Sequence, residues 1–92
     1  MAWFALRYSV VPDYLERRTA FRTEHLALAR ASQARGELVL AGAFSDPPDG
    51  ALLLFRADDR KVAEDFARGD PYVKNGLVTH WDVRAWTVVI GE

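Results

Sequence analysis

Glu37-Leu38-Val39-Leu40-Ala41-Gly42-Ala43-Phe44-Ser45-Asp46-Pro47-Pro48-Asp49-Gly50-Ala51-Leu52-Leu53-Leu54-Phe55-Arg56 is the stretch that decides the fold. Two apolar runs flank a cluster of serine, aspartate, proline and glycine, the composition of a turn joining antiparallel strands. Polar alternation is almost absent from either run, which predicts strands covered on both sides. Gly42 interrupts the first run and marks a place where another backbone, a side chain or a ligand comes close.

Outward from this hairpin the hydrophobic period is helical in both directions. From Asp13 to Arg35, Tyr14, Arg18, Phe21, His25 and Leu28 fall at spacings of three and four, and Gly36 ends the run. Glu16, Arg17, Thr23, Glu24 and Arg30 form the solvated opposite face. On the other side Asp58 or Asp59 caps a second helix, in which Val62 and Phe66 are the inward pair. Two more strands lie beyond the helices. Ala2 to Val11 alternates Phe4, Leu6, Tyr8 and Val10 against Trp3, Ala5, Arg7 and Ser9; Val78 to Ile90 alternates His80, Asp82, Arg84 and Trp86 against Trp81, Val83, Ala85 and Thr87. The order strand, helix, strand, strand, helix, strand is the ferredoxin-like βαββαβ plan, an α+β antiparallel sheet with both helices on one face. The other face, carrying residues such as Trp3, Val39 or Leu53, needs a cover that the chain does not itself supply. A second copy packed sheet to sheet is the simplest one, so a homodimer is expected.

Composition narrows the function. A chain of 92 residues, half of them hydrophobic, makes one domain over residues 1–92 and is too apolar for disorder. Twelve basic against thirteen acidic residues give a charge of -1, which offers no footprint for nucleic acid or an anionic membrane surface. There is no cysteine, hence no disulfide, thiolate nucleophile or zinc–thiolate site. The apolar runs are too short to span a bilayer and no leader precedes the first strand, so a cytoplasmic location is expected. Phosphate loops, nucleotide fingerprints and a Gly-x-Ser-x-Gly elbow are missing, and His25 and His80 lack H-x-H or H-E-x-x-H spacing. Neither a cofactor nor a metal is expected.

The chemistry concentrates in Phe66-Ala67-Arg68-Gly69-Asp70-Pro71-Tyr72-Val73-Lys74-Asn75-Gly76. Gly69 is suited to closing the second helix in the left-handed conformation, Asp70-Pro71 to capping and starting a short turn, and Asn75-Gly76 to stopping it. A carboxylate held at a helix start has fixed geometry and can orient a histidine. Taken singly, Asp70 is a cap and His25 a satisfied histidine on an apolar helical face. With both helices on one side of the sheet the two come near each other, and imidazoles, titrating near pH ~6.5, suit proton transfer. Tyr72 packs over the Asp70 turn at a pocket lip, where a phenol can meet an aromatic substrate, and Arg7 and Arg22 are either anchors for an anionic one or ion-pair partners at a surface or interface.

Arg22-Thr23-Glu24-His25-Leu26, Gly36-Glu37-Leu38-Val39-Leu40-Ala41-Gly42, Asp70-Pro71-Tyr72 and a last strand opening with Trp81 and Val83 resemble the YciI-like proteins in order and spacing, over nearly the whole chain. That family is similar to the dimeric α+β barrel proteins, which include muconolactone isomerase-like and monooxygenase-like enzymes. The resemblance implies a single YciI-like domain with His25 and Asp70 as the active-site pair. It implies a small cofactor-independent enzyme of lyase or isomerase type, performing proton transfer or dehydrochlorination on an oxygenated aromatic or enolisable compound. Tyr72, Arg22, Arg7 and Gly42 are then the substrate-binding residues. The alternative is a non-catalytic small-molecule-binding or accessory dimer. One departure bears on the pocket wall: many relatives follow the strand glycine with proline, whereas here Gly42 precedes Ala43.

Overall fold

The computed structural model describes residues 1–91. Strand β1 (Ala2–Val10) is followed by a short helix α1 (Tyr14–Arg17), a 3-10 turn (Arg18–Ala20) and helix α2 (Arg22–Ala34); then come β2 (Leu38–Ala43), β3 (Gly50–Ala57), α3 (Lys61–Gly69), α4 (Pro71–Lys74) and β4 (Val78–Trp86). The four strands pair antiparallel in the order β2-β3-β1-β4, which is the expected α+β ferredoxin-like sheet.

The register fixes what each face does. Leu6 of β1 stands beside Leu53 on one side and Val83 on the other, and Phe4 stands beside Phe55. These residues point under the helices, where Leu6, Leu53, Phe55, Ala63, Phe66, Ala67 and Leu77 are all buried and the Phe55 and Phe66 rings meet at 5.3 Å. Each fully buried leucine or phenylalanine contributes about 1.5–3 kcal/mol. Gly50 must be glycine for a steric reason, since a Cβ there would strike the Tyr8 carbonyl oxygen on the neighbouring strand.

Several expectations are corrected. Leu53 belongs to the helix-covered face, not the open one; Leu52 and Leu54, partners of Arg7 and Ala5, take the open side. A continuous run of leucines carries no alternation from which to choose between these two phases. Strand β2, expected to be covered on both sides, is exposed from Val39 onward, because it is the sheet's edge and the helix layer leaves a hollow above its small residues. Val39 itself sits at the shift of register between Leu38 and Leu40. The first long helix is broken at Phe21, with φ −119° and ψ 0°, and α2 restarts there as the His25 N–H donates to the Phe21 carbonyl. β4 stops at Trp86 rather than Ile90, since its partner β1 has run out: Trp86 pairs with Trp3. Gly36 and Gly76 do take positive φ, near 79° and 78°, but Gly69 does not; the helix direction changes instead at Asp70, which is extended. Of the two capping candidates for α3, Asp59 accepts a hydrogen bond from the Lys61 N–H at 2.9 Å.

The open face bears an edge-to-face Trp3–Trp86 pair with centroids 6.4 Å apart and the exposed side chains of Leu40 and Phe44, interspersed with Arg7, Arg56, Asp82 and Arg84. No helix among the described residues is long and apolar enough to cross a membrane.

Candidate active site

Local sequence places the acid. Asp70 is the N-cap of α4 with Pro71 behind it, and its Oδ1 accepts from the Tyr72 N–H at 2.9 Å. The side chain is completely buried. Its Oδ2 accepts from the Tyr8 hydroxyl at 2.7 Å, and Oδ1 also lies 2.9 Å from His25 Nδ1. The Tyr8 hydroxyl and the Tyr72 N–H both donate to the carboxylate, and an ionised carboxylate can only accept. That arrangement assigns the ring proton of a neutral His25 to Nδ1 and leaves Nε2 as the nitrogen with a free lone pair.

Aromatic rings hold the imidazole from the side. Tyr72 stacks on His25 with centroids 4.0 Å apart and planes 9° from parallel, and Tyr14 meets Tyr72 edge-on at 5.7 Å. Arg18 closes the series, its guanidinium carbon 5.4 Å from the Tyr14 ring centre. Burial, then the Asp70 charge, pushes the Tyr8 phenol far above its usual range, so it remains a donor. Burial chiefly, and Tyr14 next, raises the Tyr72 phenol as well, with Arg22 and Arg18 acting in the opposite direction.

His25 stands at the wall of a cavity of about 170 Å³ between α2 and the sheet, lined also by Tyr8, Arg18, Arg22, Gly42 and Tyr72. A cavity of about 150 Å³ takes one benzene ring, so this one suits a single six-membered ring with small substituents.

Of the residues singled out in the sequence, His25 and Asp70 are hydrogen-bonded, and Tyr72, Arg22 and Gly42 line the cavity with His25. Arg7 is not brought there. It lies on the opposite face, where its Nε and Nη2 donate to the Asp82 carboxylate at 3.0 and 2.6 Å. His80 is exposed near that pair, and no group of side chains suited to a metal occurs among the described residues. Sequence reasoning missed Tyr8, Tyr14 and Arg18. At period two Tyr8 reads as a core position, although a buried phenol needs a hydrogen-bond partner. For Arg18 the signal was a cation on the apolar stripe of a helix.

With this geometry in view, a family model fits the sequence: the YCII-related domain aligns with residues 1–87. The chain belongs to the YCII-related family. This YCII-related chain is 34% identical over 76 residues to an uncharacterized protein of Haemophilus influenzae, covering 73% of the one and 78% of the other. Among solved structures it is similar to the 5-chloro-2-hydroxyhydroquinone dehydrochlorinase of Burkholderia phenoliruptrix in complex with 2,5-dihydroxybenzoquinone, with a TM-score of 0.77 at 22% identity over 92% of this chain and 93% of that one. An antibiotic biosynthesis monooxygenase-like protein of Deinococcus radiodurans aligns over 100% and 96% of the two chains, with a TM-score of 0.60 at 15% identity. At these identities the likenesses establish the fold, an α+β ferredoxin-like sheet.

Proposed function

We propose that this YCII-related chain is a cofactor-independent enzyme of the lyase or isomerase type, acting in the cytoplasm as a homodimer formed through the open sheet face. Its substrate is a compact oxygenated aromatic or enolisable compound. The observation supporting this reading is that His25, tied through Nδ1 to a buried carboxylate, stands at the wall of a cavity the size of one ring. Nε2 of His25 takes a proton from the substrate, and the electron pair released moves into the ring or the adjacent carbonyl. On a chlorinated ring, departure of chloride completes the elimination, so that one proton and one chloride leave together. Asp70 acts as a positioning residue that holds the imidazole and its tautomer. Tyr72, Arg22 and Gly42 shape the space around the ring. The ligand and activity of the Burkholderia enzyme fit these dimensions and give the reaction to try first.

A second reading is favoured by the complete burial of Asp70 and its capping bond to the Tyr72 N–H: the pair closes a polar gap in a protein that binds a small molecule without turning it over.

One experiment separates the two. The purified protein is incubated with 5-chloro-2-hydroxyhydroquinone and with non-chlorinated enolisable analogues; chloride release and ultraviolet spectra report turnover, and melting in the presence of 2,5-dihydroxybenzoquinone reports binding. The catalytic reading expects turnover that falls roughly 10²–10⁴-fold in His25→Ala. Equal turnover in wild type and variant would remove His25 from the chemistry, and ligand protection without turnover in either would leave the binding reading in its place.

A further inference from the structure

We infer that Tyr72, Arg18 and Arg22 form an oxyanion anchor in this cavity, so that the ligand is a small planar anion whose charged oxygen, phenolate or carboxylate, accepts a hydrogen bond from the Tyr72 hydroxyl. The inference rests on the reading of this cavity as the functional site and adds the charge state of what it holds.

The hydroxyl of Tyr72 is buried without any hydrogen-bond partner, in a residue only 1% exposed that borders the cavity. Buried hydroxyls are rarely left in that state, and a ring wedged between His25 on its face and Tyr14 at its edge cannot swing away to find a partner. The cavity that Tyr72 borders is the space from which an acceptor can reach it. The charges around it say what kind. Arg18 and Arg22 both line the cavity, and neither is in an ion pair with a described residue. Among the described residues, no aspartate or glutamate lines the cavity. Asp70 is sealed behind His25 and Tyr8, which occupy its oxygens. Two unpaired guanidiniums, an orphan phenol donor and no competing carboxylate make a site complementary to a negative oxygen. The same two arginines are the groups that draw the Tyr72 phenol downward against its burial, which places their field at that hydroxyl.

Equilibrium binding of three ring compounds tests this: 2,4-dinitrophenolate, benzoate and the neutral 1,3-dinitrobenzene, followed by calorimetry at neutral pH. The expected result is that at least one anion binds about tenfold tighter than the neutral ring, and the arm that does so identifies the oxygen as phenolate or carboxylate. Tyr72→Phe should cut that anion's affinity about fivefold or more and leave 1,3-dinitrobenzene unchanged. The double variant Arg18→Gln/Arg22→Gln should abolish the preference, and it stands in if Tyr72→Phe fails to fold. Turnover is not read in this assay, so loss of turnover in His25→Ala and loss of anion selectivity in the anchor variants are independent outcomes. Equal affinity for charged and neutral rings, or anion binding unaltered by both anchor variants, would overturn the inference.

Discussion

Two pairs that each join an aspartate to a basic side chain lie on opposite faces of the same sheet, and the shorter one matters less. Arg7 and Asp82 approach to 2.6 Å, but their side chains are 53% and 36% exposed and they face each other across adjacent strands, where water and salt screen them. His25 and Asp70 are 2.9 Å apart with side chains 15% and 0% exposed, and the acid is also claimed by Tyr8 and by the Tyr72 backbone. What distinguishes them is the number of donors that would be stranded by removing the acid. A contact distance does not report that number; burial and the surrounding network do.

The largest effect should come from emptying the buried acid's position. Asp70→Ala leaves the Tyr8 hydroxyl, the Tyr72 N–H and the His25 ring without their acceptor, and urea unfolding should show a loss of about 3–5 kcal/mol. Tyr8→Phe removes one donor and should cost about 1 kcal/mol by the same measurement. This variant also has a pH signature. The folded state holds the Tyr8 phenol above its ordinary value of 10.0, so the corresponding stability is intact below that pH and is lost as the solution becomes more alkaline. Wild type should therefore weaken above about pH 10, and Tyr8→Phe should weaken less, the remainder coming from Tyr72, which is raised for similar reasons. The smallest effect belongs to the exposed pair. Arg7→Ala should leave turnover and cavity-ligand binding unchanged, because the sheet separates it from His25. The hydrogen bond from Arg7 depresses the Asp82 carboxyl below its usual 3.8, so whatever the pair contributes is present above that pH and disappears in more acid solution. Thermal melts of Asp82→Ala and wild type should converge there.

The same contrast explains which parts of the molecule could be read in advance. Phe4, Leu6 and Tyr8 announced their face because Trp3, Ala5, Arg7 and Ser9 differ from them; Leu52, Leu53 and Leu54 are chemically identical, and only pairing with β1 separates their environments. The limit of β4 was invisible for a related reason, being set by the length of β1 and not by any residue after Trp86. The break at Arg18–Ala20 left no trace because the residues on either side of it, Tyr14 and Phe21, still pack toward the core. At the site, His25 and Asp70 could be named from motif and helix phase. Tyr8, Tyr14 and Arg18 could not, because their contributions depend on where a hydroxyl or a guanidinium ends up once distant segments meet.

The most direct test of the central claim is the state of the His25 ring in solution. Nitrogen NMR of selectively labelled protein, recorded where imidazole is neutral, should show the proton on Nδ1 and a bare Nε2 whose resonance moves when 2,5-dihydroxybenzoquinone is added. A proton on Nε2, or an imidazole indifferent to that ligand while it binds, would contradict the account.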